Sequence, residues 1–507
     1  MNAERPAADD LREAVAAVPR AVAILLASAG LGLLAQLLFF EVGLGINYPL
    51  MLAALLAAGW LIAGGARLPR LTDAWLPVAA LVLGAFVALR GDRTLLALDV
   101  LGSLLLAGAS LASFGGQRVV ERPLAGVMVL AGRVLTASLA AGVAPLRSAL
   151  EAVDRRSLFP RLRSGMPVVR GLLIAIPLLA LFGILFASAD AVFSRIAGDL
   201  LGWDLDLGSL PGRALLTLLV AWLAAGLLTF VVRADESDAE GALEGAWAGR
   251  PRLGSTEAVT VLVALDLLFA IFVVVQAAYL FGGQDTRAAS GMTYAGYARR
   301  GFFELLAVAF AVGGLVLAGE ALVARRTRAY VAAFVALVLL TLVVLASAFL
   351  RLRLYQDAYG WTELRFYVFA AIAWLAIGAV GAIAALLADR TAWLLHGLAV
   401  LSVAFGIGFN LVGPVHFVAE RNLERVNHPE TIPAGGERDL DVDYLVSLGS
   451  DAVDVVQRWM VARPLPPELA ERMTDRMAEA SGLDEEGNRA WQAWNLSRAR
   501  ARELPGR

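Results

Sequence analysis

The sequence predicts an all-α, polytopic helical membrane protein, and three observations carry that class. Of 507 residues, 59% are hydrophobic and 17% charged, with a mean hydropathy of +0.70, whereas about a quarter of an average soluble domain is charged. The apolar residues are gathered in repeated runs of about twenty, the length at which a helix crosses a bilayer. Backbone groups in hydrocarbon must be bonded within their own segment, so such runs are helices. From about residue 413 the pattern changes to polar, amphipathic segments.

Taken in order, about eleven spans are expected. Residues 1–20 form a charged N-terminal tail with Arg5, Arg12 and Arg20. Four spans follow within 21–113, at roughly 21–40, 48–66, 74–89 and 95–113. The first is too long for a signal-peptide core and lacks a clear small-x-small cleavage site, so it is expected to stay attached. Residues 114–167 make an arginine-dense connection. Seven more spans fill 168–412, at roughly 168–188, 211–232, 257–281, 300–322, 329–350, 365–388 and 392–412. Residues 413–507 read as a small helical extramembrane tail, with helices over 440–460, 465–481 and 484–504 separated by Gly and Pro. Trp491 and Trp494, three apart, suit either an interfacial anchor or a small apolar core.

Within the connection, residues 119–147 are apolar enough to span but carry Arg122, Arg133 and Arg147. At about 100° per residue, Arg133 returns to within about 20° of Arg122. The expectation is an amphipathic helix lying in the interface with its arginines toward headgroups. The alternative is a twelfth span, which would invert everything downstream.

Arginine in short loops sets the orientation, because cytoplasmic loops carry the excess. Placing the N-terminus inside gives the cytoplasmic side Arg67, Arg70, the set from Arg118 to Arg163, Arg233, Arg250, Arg252, Arg325, Arg326 and Arg328. Two later outer loops also hold three arginines each. An odd span count then puts the C-terminal tail outside the inner (plasma) membrane.

Composition excludes several chemistries. There is no cysteine and no lysine, so all 43 basic residues are arginine. This removes thiol nucleophiles, disulfides, thiolate-held metals, the Walker A lysine and Schiff-base lysines. A net charge of −2 gives no sign of nucleic-acid binding. Gly30-Leu31-Gly32-Leu33-Leu34-Ala35 fits a dinucleotide fingerprint as a string, yet it sits inside an apolar span with no preceding strand and reads as small-residue helix packing. His416, Glu420, Glu424 and His428 recur every four residues, but the outer pair spans three helical turns, too far for one ion. No metal or cofactor is expected.

Polar residues at the ends and middle of spans are more informative. Asp266 lies near the middle of its span, where a lipid-facing carboxylate costs about 2.5–3.5 kcal/mol. It is expected to face inward, either protonated or hydrogen-bonded to a hydroxyl or amide of a neighbouring helix. Gln276 and Tyr279 follow on the same helix, and Arg299, Arg300 and Glu304 lie beyond the next loop. They line an outer cavity or simply anchor a helical hairpin. Arg351, Arg353, Tyr355, Tyr359, Glu363 and Arg365 form a second outer cluster, with Thr362 a natural N-cap. Arginines with aromatics at one membrane face suit an anionic headgroup or a plain interfacial belt. Asp190, ending the 168–188 span, is a ligand candidate or the N-cap of a short helix.

The strings Phe186 to Asp190, Gln276 with Tyr279 to Gly283, Tyr294 to Leu305, Leu352 to Arg365, Asp441 to Val453 and Trp494 to Arg500 resemble a bacterial family of polytopic inner-membrane proteins known only as a domain of unknown function. The resemblance runs from about residue 170 onward. It implies the membrane architecture and no chemistry.

The leading expectation is a non-enzymatic membrane protein that binds or passes a small or lipidic anion at its outer face, or scaffolds envelope partners there. Membrane lipids are its expected partners, and no protein partner is named by the sequence. The alternatives are a membrane enzyme on a lipid-linked substrate, with Glu304, Asp190 or Asp266 as acid/base, and a membrane sensor.

Overall fold

A computed structural model describes residues 5–65, 72–120, 122, 124–140, 209–233, 254–281, 302–323, 326–433, 436–438, 441–462, 467–480 and 486–503, and the structural statements below concern these residues. Their regular elements are helices. The apolar ones are α1 (Arg5–Phe39), α2 (Asn47–Ile62), α3 (Trp75–Phe86), α4 (Arg93–Phe114), α5 (Leu124–Ala140), α6 (Leu210–Arg233), α7 (Ser255–Phe281), α8 (Phe302–Leu322), α9 (Arg328–Tyr359), α10 (Glu363–Leu387) and α11 (Leu394–Val412). Seven helices are long and apolar enough to cross a membrane, and four shorter apolar helices accompany them. Each expected span coincides with one of these helices except 168–188, which lies outside the described residues.

Local chemistry fixes the helix ends. Asp92 N-caps α4, its side chain accepting from the Thr94 and Leu95 amides at 2.8 and 3.1 Å. Thr327 and Thr362 do the same for α9 and α10, the latter as the sequence leads one to expect. Gly360 (φ 78°) ends α9, and Gly413 (φ 69°) ends α11 just before a proline restarts the chain as α12 (Pro414–Asn427).

The helix ends fall on two faces. On the first, which we term the tail face, Gly43 donates to the Gly487 carbonyl, Ile46 to Trp494, and Glu437 to Ala358, while Leu496 donates to Ala88. Arg213, at the start of α6, lies over the Phe40 ring at 4.4 Å, just past the end of α1. On the far face, Asp73 accepts from the Ser113 hydroxyl at 3.1 Å, Arg326 pairs with Asp389 at 2.9 Å, and Trp75 meets the His396 ring. α1 therefore ends, and α6 begins, on the tail face.

Apolar side chains gain nothing by leaving hydrocarbon for one another, so the helices rely on small residues and close approach. A Cβ on Gly32 would come within 2.4 Å of the Thr217 carbonyl, so only glycine lets α1 lie against α6 there. Gly226 plays the same part for α5, where a Cβ would reach 2.2 Å from the Ala137 carbonyl. Leu130 packs with Phe230 and Ala112, and Trp222 donates to the Leu139 carbonyl at 2.9 Å. α5, whose place in the interface was the expectation, thus lies side by side with α6 and antiparallel to it over Leu130–Leu139.

Beyond α12 come α13 (Val442–Ser447), α14 (Val453–Ala462), α15 (Pro467–Ala480) and α16 (Leu496–Glu503). Val415, Val418, Leu423, Leu445, Val446, Val456, Met473 and Met477 make the shared core of α12 to α15, with Trp361 and Phe366 packed against it. Of the three expected tail helices, 465–481 coincides with α15 and the other two are divided. Gly449 (φ 82°) divides the expected 440–460 helix. The expected 484–504 helix is replaced by two 3-10 turns and α16, because Asn495 turns back to the bundle and to the Arg498 amide. Trp491 and Trp494 are 61% and 45% exposed, so they are not the tail's core.

Candidate functional site

The tail face is organised around residues 87–92, the short link between α3 and α4. Carbonyls at a helix C-terminus lack intrahelical partners. Those of Val87 and Arg90 accept from the Asn495 side-chain amide at 3.0 and 2.8 Å. The Gly91 and Asp92 amides both donate to one oxygen of Asp451, at 2.9 and 2.8 Å. Ser450 Oγ occupies the space a side chain at Gly91 would need, and Ser497 is bonded to Ser450 at 2.9 Å. The tail thus clasps this link with side chains from two separate segments.

The same link reaches into the bundle. Asp92, 2% exposed, accepts from the Tyr367 hydroxyl of α10 at 3.2 Å. Burial pushes its carboxyl above the usual carboxylate range, against the α4 amide bonds, and neighbouring Asp451 pushes it further. Seven residues on, about 10 Å deeper along α4, Asp99 is 1% exposed. The Asn410 amide of α11 donates to both its carboxylate oxygens, at 2.8 and 3.0 Å. Arg90 donates to the Asn410 backbone carbonyl at the end of α11. Phe366, Tyr367, Phe405 and Phe409 stack edge to face beside this centre.

A second junction forms where α9 turns into α10. Arg365 donates to the Tyr359 and Gly360 carbonyls and lies 4.2 Å from the Tyr355 ring centre. Arg425 of α12 donates to the Ala358 carbonyl at 2.7 Å. Asn422 brackets Trp361, accepting from its amide at 2.7 Å and donating to its carbonyl at 2.8 Å. The Glu363 amide donates to the Tyr444 hydroxyl at 2.8 Å. Burial pushes Tyr444 up to about 12, opposed by the bond from the Glu363 amide and by Arg365, with the Glu363 charge adding to the rise. Arg90, Arg365 and Arg425 therefore share one task, neutralising the negative ends of helices.

The residues singled out from sequence are distributed as follows. Tyr355, Tyr359, Glu363 and Arg365 come together at this junction, with Arg351 half-buried and Arg353 exposed one to two turns earlier on α9. Gln276 is buried between α7 and α9, accepting from the Ser347 hydroxyl. Glu304 is exposed on the first turn of α8. Asp266 is half-buried, and its buried oxygen has no hydrogen-bond partner, so the expected hydroxyl or amide is not found among the described residues. Asp190, Arg299, Arg300 and the side chain of Tyr279 lie outside the described residues. His416 faces Asp454 at 3.5 Å and His428 faces Glu430 at 3.1 Å, so the histidine stripe is divided between two partners.

Sequence reasoning missed Asp92, Asp99, Asn410 and Asp451. Asp99 carries the same signal that drew attention to Asp266, a carboxylate inside an apolar run. Its pairing with Asn410, 311 residues away, has no sequence signature.

The chain has no match among the curated proteins and none among the solved structures. It does match one family, described as Domain of unknown function (DUF4153), over residues 77–459. That match takes in α3 and α4, ahead of the point near 170 where the resemblance becomes legible by eye, and ends before the Trp494 to Arg500 string. With well over half its length matched, the chain belongs to the DUF4153 family of proteins, and Asp92, Asp99, Tyr367, Asn410 and Asp451 all lie inside the shared domain.

Proposed function

We propose that this is a bacterial inner-membrane protein, crossing about eleven times, that binds or passes a small or lipidic anion at its tail face without catalysing a reaction. The N-terminus is cytoplasmic and the tail extracytoplasmic. The opposite positions of the start of α1 and the start of α12 support an odd number of crossings. Arg326, Arg328 and Arg390 belong to the far face, the side that positive residues favour as cytoplasmic.

The observation that carries the anion reading is the state of the arginines. Arg90, Arg365 and Arg425 are directed at backbone carbonyls, whereas Arg353 is exposed. About twenty residues at 1.5 Å each cover the hydrocarbon, so a span starting near Tyr330 emerges near Leu350. Arg351 and Arg353 then stand at headgroup depth, where a guanidinium meets phosphate. The enzymatic alternative draws less support: Glu304 begins α8 at the tail face, while Asp266 lies ten residues, about 15 Å, below Gln276 on α7.

Native mass spectrometry of the full chain tests this reading. The parent is expected to retain phosphatidylglycerol over phosphatidylcholine, and Arg353→Gln to lose most of that preference while staying folded. Equal retention by parent and variant would make these arginines a plain interfacial belt.

A further inference from the structure

Of three buried side-chain oxygen atoms between α4 and α11, two share a single donor and the third has none. The Asn410 amide nitrogen has two N–H groups. One is divided between the Asp99 oxygens at 2.8 and 3.0 Å, and the other is directed to the Gly406 carbonyl of its own helix at 3.0 Å. The Asn410 side-chain oxygen is buried and has no partner. Both residues are 1% exposed. A carboxylate has about four acceptor positions and an amide oxygen two, so this spot is crowded with acceptors and short of donors.

The surroundings do not make up the deficit. The charges acting on Asp99 are the Asp92 carboxylate at the head of its own helix and the Arg90 guanidinium. Arg90 bonds the Asn410 backbone carbonyl and lies against Gly413. From α2, Tyr48 faces the centre but its hydroxyl is shared with Ser103 and the Val100 carbonyl. From α10, the Tyr367 hydroxyl is directed to Asp92, with Glu363 one turn above it. Asp99 and Asp92 together outnumber Arg90, the arginine acting on Asp99. Buried acceptors of this kind are normally satisfied, and an unpaired buried charge is strongly disfavoured.

We propose that Asp99 and Asn410 form a binding site for one small monovalent cation, either H⁺ or Na⁺. The acidic cluster alone would not carry this; the orphaned amide oxygen, fully buried beside the carboxylate, does. A sodium ion would take oxygen from both side chains, as a hard cation prefers. A proton arriving from solvent would add to an Asp99 oxygen as O–H, and a turn of the Asn410 amide would then present its oxygen as that group's acceptor. The site is independent of the anion reading, since it uses none of the same residues.

The test is thermal unfolding of the full chain in lipid nanodiscs, in two arms. One exchanges N-methylglucamine for Na⁺ at constant ionic strength and alkaline pH; the other lowers the pH without Na⁺. A ligand bound only by the folded state raises the melting temperature with its concentration. The parent is expected to gain several degrees in one arm, rising with ion concentration above the dissociation constant, which identifies the ion. Asp99→Asn is expected to lose that response. Asn410→Ser, which keeps one oxygen but no amide, is expected to shift the ion concentration at which the rise begins at least tenfold. No response of the parent in either arm overturns the proposal. So does a parent-like response in Asp99→Asn or, should that variant not fold, in Asn410→Ser.

Discussion

The Asn410 amide holds both carboxylate oxygens of Asp99, at 2.8 and 3.0 Å, joining the fourth apolar helix to the last one across 311 residues of chain. Among the described residues, Asp99 accepts from no side chain other than Asn410. Removing one member leaves the other stranded. Asn410→Leu is expected to destabilise the folded protein by about 1–3 kcal/mol, and the double variant Asp99→Leu/Asn410→Leu to recover most of the loss. Thermal unfolding in detergent measures this as a double-mutant cycle, and additive losses would show that the two side chains do not interact.

The clasp on residues 87–92 should be separable from the bundle. Asn495→Ala removes two bonds to carbonyls at the end of α3, at about 1 kcal/mol each. Hydrogen exchange is expected to speed up at Gly91, Asp92 and α16, while α9 and α10 stay protected. Uniform loss of protection would mean that the tail and bundle unfold as one unit.

Two glycines on one helix should differ sharply. A Cβ at Gly32 would collide with the Thr217 carbonyl, whereas nothing lies within 4 Å of Gly30. Gly32→Ala is expected to lower the melting temperature by several degrees, as overpacking typically costs about 1–3 kcal/mol. Gly30→Ala is expected to be neutral or slightly stabilising. Equal effects would contradict the close packing of α1 on α6.

The contact of α12 with α14 should depend on pH. A hydrogen bond to Asp454 raises His416 above its ordinary 6.5, with burial opposing. Burial raises Asp454, but His416 and Arg458 outweigh it and leave the acid below its ordinary 3.8. The His416 contribution is complete below 6.5 and fades as pH rises through its higher folded value. The Asp454 contribution is complete above 3.8 and fades as pH falls through its lower folded value. Intrinsic-rate-corrected hydrogen exchange in α14 should therefore be slowest between those limits and quicken toward alkaline pH, with His416→Asn flat over that alkaline limb. A parent that tightens as pH rises would have the opposite linkage.

The membrane class and the helix positions were legible because apolar runs of span length have few other uses in a chain this poor in charge. The Thr362 cap was legible too, since a hydroxyl before an apolar run has a local cause. Two of the three tail helices are shorter than their pattern, because the pattern does not show that Gly449 adopts a positive φ or that Asn495 serves a distant loop. The candidate site was legible only in part. Arg365, Tyr355 and Glu363 are near neighbours in sequence and stay together in space, whereas Asp92, Asp99, Asn410 and Asp451 meet only through tertiary packing.

Sidedness decides whether the tail face can be a working surface open to the cell exterior, and the natural absence of cysteine gives a clean background for measuring it. Val461, 84% exposed on α14, and Arg390, exposed at the far face, can each be replaced singly by cysteine and treated with a membrane-impermeant maleimide. In intact spheroplasts, Val461→Cys is expected to label and Arg390→Cys to label only after permeabilisation. The reverse pattern would put the tail in the cytoplasm and contradict the proposed orientation outright.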